Sequence, residues 1–123
     1  MDYLHIAIAE ILLKLLRDDP KKALITYSVL ADQIDNLVTP LNTSTYLGDL
    51  STWAYENGAP MISAMVINQK QLQPGNGFFI LYHDLTGKNI GDKEAVFRSE
   101  LKKVKEYGQW DKFALSLGIT DIF

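Results

Sequence analysis

Few residues in this chain have the type and spacing to do chemistry. There is no cysteine, so no thiolate nucleophile, disulfide or Cys-ligated zinc can be built. The two histidines, His5 and His83, share no ligand spacing. His83-Asp84 has the composition of a general base with an orienting carboxylate, and Ser63 that of a nucleophile. On an extended strand, however, adjacent side chains point to opposite faces, so His83 and Asp84 would not pair. No G-x-S-x-G, P-loop or H-E-x-x-H pattern occurs. The acids are scattered and not set at metal-site spacing. The residues therefore predict no catalytic group, no metal and no cofactor, and recognition in place of catalysis. A small hydrolase using His83 is the weakest reading.

A second set of residues suits binding. Gly75, Asn76 and Gly77 would let backbone N–H groups approach a ligand, and Phe78 could stack on a base. Trp53, Tyr55, Tyr82 and His83 would join them from neighbouring elements, while Lys70, Lys88 or Arg98 would meet phosphates. Pro-Gly and Asn-Gly are also what an ordinary turn uses, and Phe78-Phe79 also suits a core. The set gains meaning jointly, as a groove holding a small nucleotide-like molecule or a protein segment.

These residues must be positioned by the elements around them. Leu4, Ile8, Ile11, Leu12, Leu15 and Leu16 recur at helical spacing and predict an amphipathic helix over 3–17, with Asp2 as N-cap and Asp19-Pro20 as its stop. Residues 23–25 read as a short extended piece. Thr26 or Ser28 caps a helix to Asn36, and Asn42 or Thr43 caps a third through Asn57, stopped by Gly58 and Pro60. The apolar run Met61–Ile67 reads as a strand. Gln73-Pro74-Gly75-Asn76 has Pro and Gly at the centre of a type II turn, which makes Phe78–Tyr82 a return strand and the whole a β-hairpin. Asp92 caps a fourth long helix to Tyr107, and Trp110, Phe113 and Leu117 mark a short last one. The apolar tail of Ile119, Ile122 and Phe123 docks on the core or offers a surface to a second copy.

The expected fold is thus α+β: a winged-helix-like helical domain with a β-hairpin and C-terminal helices. It is read as a single domain over 1–123, with a winged-helix-like part at 1–82 and a helical extension at 83–123. Thr26-Tyr27, Leu30-Ala31 and Ile34, then Leu47-Gly48, then Pro60 before an apolar strand, resemble the DNA-binding part of alkylguanine alkyltransferases and alkyltransferase-like proteins. The resemblance covers about forty residues and implies a related fold. It departs wherever that family's chemistry lies. Ser28 stands in place of a glycine, Thr45 in place of the base-displacing arginine, and Met61-Ile62-Ser63 in place of the nucleophile-His-Arg run. Tyr27 alone matches a DNA-contacting position.

Charge argues in the same direction. The chain has 123 residues and a net charge of −3, enough length for one hydrophobic core. From Ala23 to Gln69 it carries Asp32, Asp35, Asp49 and Glu56 and no Lys or Arg. Phosphate contacts from Lys and Arg supply most nucleic-acid affinity, so direct DNA binding through the third helix is disfavoured. A DNA-associated regulator acting through its wing or an oligomer remains the runner-up. No apolar run reaches the roughly 18–20 residues of a membrane span, and the N-terminus has acids where an export signal has bases. We expect no membrane partner and a cytoplasmic protein.

Alkyl transfer supplies the first test. A thioether at Met61 or a hydroxyl at Ser63 cannot replace a thiolate at neutral pH. Incubation with O6-alkylguanine DNA should leave the mass of the intact protein unchanged, and an alkyl adduct would overturn the expectation.

Overall fold

The computed structural model describes residues 1–123, the side chain of Pro40 excepted. The chain begins with helix α1 (Tyr3–Asp18). Asp2 caps it, accepting from the N–H groups of Leu4 at 2.9 Å and His5 at 3.2 Å. His5 returns the favour through Nδ1, which takes the Asp2 N–H at 3.1 Å. This is a capping box with histidine where Glu or Gln is usual. The Leu4 and His5 N–H groups hold the Asp2 carboxyl below the usual carboxylate range, the His5 N–H most of all. The inner face of α1 buries Ile8, Ala9, Leu12, Leu13 and Leu16.

A 3-10 turn (Pro20–Lys22) leads into strand β1 (Ile25–Thr26). Thr26 also caps helix α2 (Tyr27–Gln33), accepting from Val29 N–H at 3.2 Å. The helix ends before the expected Asn36 because Asp35 and Asn36 take left-handed conformations, φ 58° and 54°. Asp and Asn adopt that region more readily than other side chains. Helix α3 (Pro40–Glu56) starts earlier than expected, with Thr39 as its cap in place of Asn42 or Thr43. It ends as predicted at Gly58, φ 79°. The Ala59 N–H reaches Ala54 O at 2.8 Å and the Gly58 N–H reaches Tyr55 O at 3.1 Å. Those two bonds are the Schellman pair that satisfies the last carbonyls of a helix.

The hairpin is not formed. Met61–Ile67 is buried throughout, but Ile62–Met65 is a 3-10 turn and only β2 (Val66–Ile67) is extended. β2 pairs in parallel with β1, Ile25 against Val66 and Thr26 against Ile67. Parallel strands need a crossover, and α2 and α3 provide it. The expected return strand Phe78–Tyr82 lies inside helix α4 (Asn76–Thr86). Gly75 has φ −69°, where the third residue of a type II turn needs a positive φ. It therefore serves as the N-cap of α4. Phe78, Phe79 and Tyr82 are buried while Ile80 is 60% exposed, a helical spacing that a strand would not give. Helix α4 also runs across residues 82 and 83, where the helical extension was expected to begin.

Helix α5 (Lys93–Glu106) is capped by Asp92, and α6 (Trp110–Ser116) follows. The Trp110 indole donates to Val104 O at 2.9 Å and holds the two together. Ile119 and Ile122 dock on the core, Phe123 stays 54% exposed, and Arg17 donates to Ile122 O at 3.3 Å. The architecture is α+β: six helices around a two-stranded parallel sheet. No helix among the described residues is long and apolar enough to cross a membrane.

Gly58 offers the stability test. A β-branched side chain at positive φ costs about 1–2 kcal/mol, and nothing crowds a Cβ at that position. Gly58→Val should lower the urea midpoint by that conformational amount alone, and an unchanged midpoint would mean the left-handed cap carries no weight.

Candidate functional site

The sequence-predicted residues do not converge on one site. Trp53, on α3, donates its indole N–H to Ser116 Oγ at 2.9 Å and ties α3 to α6. Lys70 lies exposed in the loop before α4, which Asn68 organises by accepting the N–H groups of Lys70 and Gln71. The Gly75 N–H is already used, donating to the Tyr27 hydroxyl at 3.0 Å. Burial pushes the Tyr27 phenol up, opposed by that same N–H. Asn76 Oδ1 accepts from Lys93 Nζ at 2.9 Å. Tyr82 is buried, and Phe78 stands edge-on to Phe79 at 5.2 Å in the core. Arg98 is exposed on α5 and pairs with Glu94 at 2.6 Å.

His83 has a structural role. A carbonyl can only accept, so its Nδ1 is the protonated nitrogen in the 2.8 Å bond to Lys88 O. The Thr86 hydroxyl takes the Lys88 N–H at 3.1 Å and donates to Tyr82 O at 2.7 Å. Together His83 and Thr86 fix the backbone of Lys88 just past the end of α4. Ser63 has no histidine partner either. It accepts from Ser51 Oγ at 2.6 Å and gives its own N–H to the same oxygen at 3.0 Å. His5 Nε2 instead bonds Asp49 at 2.8 Å. Neither arrangement is a nucleophile with its base.

Two clefts contain members of the predicted set other than Arg98, which lines a third. One, of about 340 Å³, lies between α3 and α4 and holds Gly77 and Phe78 with Tyr27, Thr45, Asp49, Thr52, Ser63 and Asp84. Its only charged side chains are two carboxylates, so a phosphate would be repelled there. The other, of about 490 Å³, opens where the end of α3, the 58–61 segment, the end of α4 and α5 meet. Tyr55, Thr86, Lys88, Glu100, Lys103, Glu106 and Tyr107 line it. The expected groove lies between the third helix, the hairpin and the C-terminal helices; no hairpin forms, and here the 58–61 segment and the end of α4 stand in its place. Of the predicted residues, Tyr55 and Lys88 line it.

Glu100 sets this second cleft apart. Its side chain is 6% exposed and pairs with Lys103, one helical turn away, at 2.8 Å. Carboxylates are almost never buried unless paired. The hydrogen bond it donates to Glu100, foremost, raises the Lys103 ammonium above its ordinary range, with Tyr82 and Tyr55 adding less. Sequence reading missed Glu100, although the signal was there. It lies three residues after Phe97 and four before Val104, on the apolar stripe of α5.

The chain matches no protein-family model, no curated protein and no solved structure.

Removing Lys103 strands a buried carboxylate without its cation. Lys103→Met should cost about 1 kcal/mol, whereas Lys102→Met, with no ion-pair partner among the described residues, should stay within about 0.5 kcal/mol. Because the folded Lys103 value is raised, its contribution is complete below the ordinary ammonium value and lost as pH rises through the raised one. Urea midpoints of the two variants at neutral and strongly alkaline pH check both statements.

Proposed function

We propose that the protein is a non-enzymatic recognition module that holds a small nucleotide-like ligand in the cleft between α3, α4 and α5. The observation that carries this reading is the buried Glu100, paired with the exposed Lys103, in a wall shared with Tyr55 and Tyr107. A volume of about 490 Å³ lies within the range of small-molecule sites. The two tyrosines offer faces for a base. Glu100 and Glu106 can accept from ribose hydroxyls or an exocyclic amine. Lys88, whose backbone His83 and Thr86 hold in place, brings a cation with no ion-pair partner among the described residues to the phosphate. The scaffold is of winged-helix kind in its β1–α2–α3 order, with α4 in place of the wing, and its setting is the cytoplasm. The resemblance to alkyltransferase-like proteins extends to that scaffold and leaves their chemistry out.

The test is a calorimetric titration with nucleoside mono- and diphosphates. Binding should weaken at least about tenfold (1.4 kcal/mol) in Tyr55→Ala and Lys88→Ala, with melting temperature nearly unchanged because both residues are exposed. Absence of binding at millimolar nucleotide, or wild-type affinity in both variants, would overturn the reading.

A further inference from the structure

The other face of α5 carries a second depression. At 100° per residue, Arg98, Leu101, Lys102 and Lys105 share a side turned away from Glu100 and Lys103. They meet the 3-10 turn of Pro20 and Lys21 across a groove of about 780 Å³. Lys105 Nζ donates to Lys21 O at 2.9 Å and bridges its two walls. The floor is Pro20 and Leu101, and the rim carries Lys21, Arg98, Lys102 and Lys105 against Asp19 and Glu106. Asp19 is committed to capping the 3-10 turn, accepting from Lys21 N–H at 3.2 Å. Arg98 has Glu94. Lys21, Lys22 and Lys102 have no carboxylate within ion-pair distance among the described residues.

We propose that this groove docks an acidic, leucine-bearing segment of a partner protein. The unpaired lysines on both rims call for carboxylates, and the apolar floor between them calls for an aliphatic side chain. A nucleic-acid backbone meets the first demand and not the second. It is also opposed by the four acids and absent bases of the 23–69 stretch. The segment that fits is amphipathic, with carboxylates flanking leucines, laid along α5 so that its acids face Lys102 and Lys21.

Fluorescence anisotropy with a fluorescein-labelled peptide of repeated Glu-Leu-Leu-Glu tests the proposal on the full chain. The peptide should bind, and binding should fall with added salt. Charge reversal of an exposed pair should weaken it about fivefold in Lys102→Glu, and similarly in Lys21→Glu on the opposite rim. Both positions are exposed, so circular dichroism should not change. A peptide with serine in place of leucine, and an oligothymidylate of equal charge, should each bind at least about fivefold more weakly. No peptide binding, or wild-type binding by both variants, would overturn the proposal. So would an oligothymidylate that binds as tightly as the leucine peptide, since the groove would then answer to charge alone. Self-association in sedimentation velocity that Lys102→Glu abolishes would assign the groove to a second copy and overturn it as well.

Discussion

Seven consecutive buried residues, Met61 to Ile67, oblige the rest of the fold to provide backbone partners from within, since water cannot reach them. β1 is only two residues long and serves Val66 and Ile67. Ser51 serves Ser63 from α3, through a hydroxyl that takes the backbone N–H and bonds the Ser63 side chain. Ala64 closes on Met61 O at 3.1 Å within the run itself. The segment is thus satisfied by three local solutions in place of one ladder. α3 and α5 both pack against its 3-10 turn. Loss of the Ser51 hydroxyl would leave the buried Ser63 N–H without its partner, which accounts for a polar residue at 0% exposure in the middle of α3.

That accounting explains how far the sequence could be read. The helices of the two ends were legible because their stripes, caps and stops agree. Asp2, Thr26 and Asp92 accept from the N–H groups expected of them, and Gly58 and Gly118 stand at positive φ after α3 and α6. The centre was not legible, because Met61–Ile67 has a single polar position, Ser63, and one position sets no period. A continuous apolar run fits a buried strand and a buried turn equally. Once that run was read as a strand, Pro74-Gly75 looked like its turn and Phe78–Tyr82 like its partner. The polar partner that decides otherwise, Ser51, lies twelve residues earlier on another element. No local pattern could reveal it.

The expected site residues are held apart for a related reason. Glycines and aromatics around a supposed hairpin tip drew the site to residues 75–83, yet the Gly75 N–H is spent on Tyr27 and His83 on Lys88 O. α5 contributes to both clefts proposed as sites, with Tyr55, Lys88 and Lys21 joining from other elements. Glu100 was visible as an acid on an apolar stripe, but a mixed-charge helix invites the reading of a solvated face, and that reading holds for most of its neighbours. Only burial separates Glu100, at 5% exposure, from Glu94 and Glu106.

The difference between α4 and α5 follows from how each helix is anchored. α4 buries Phe78, Phe79 and Tyr82, with Leu81 and Leu85 packed against the core. Those five residues commit about half of its circumference, and Asn76 spends its side chain on Lys93 of α5. α5 is fixed by Phe97, Leu101 and Val104, and those three leave it free to carry charges on both flanks. One flank meets the close of α3 and the other meets the 3-10 turn after α1. Because each junction joins a helix to a short turn, neither can be filled by regular side-chain interdigitation. Depressions form where helix surfaces run out of partners. A highly charged helix laid between two turns thus borders both depressions.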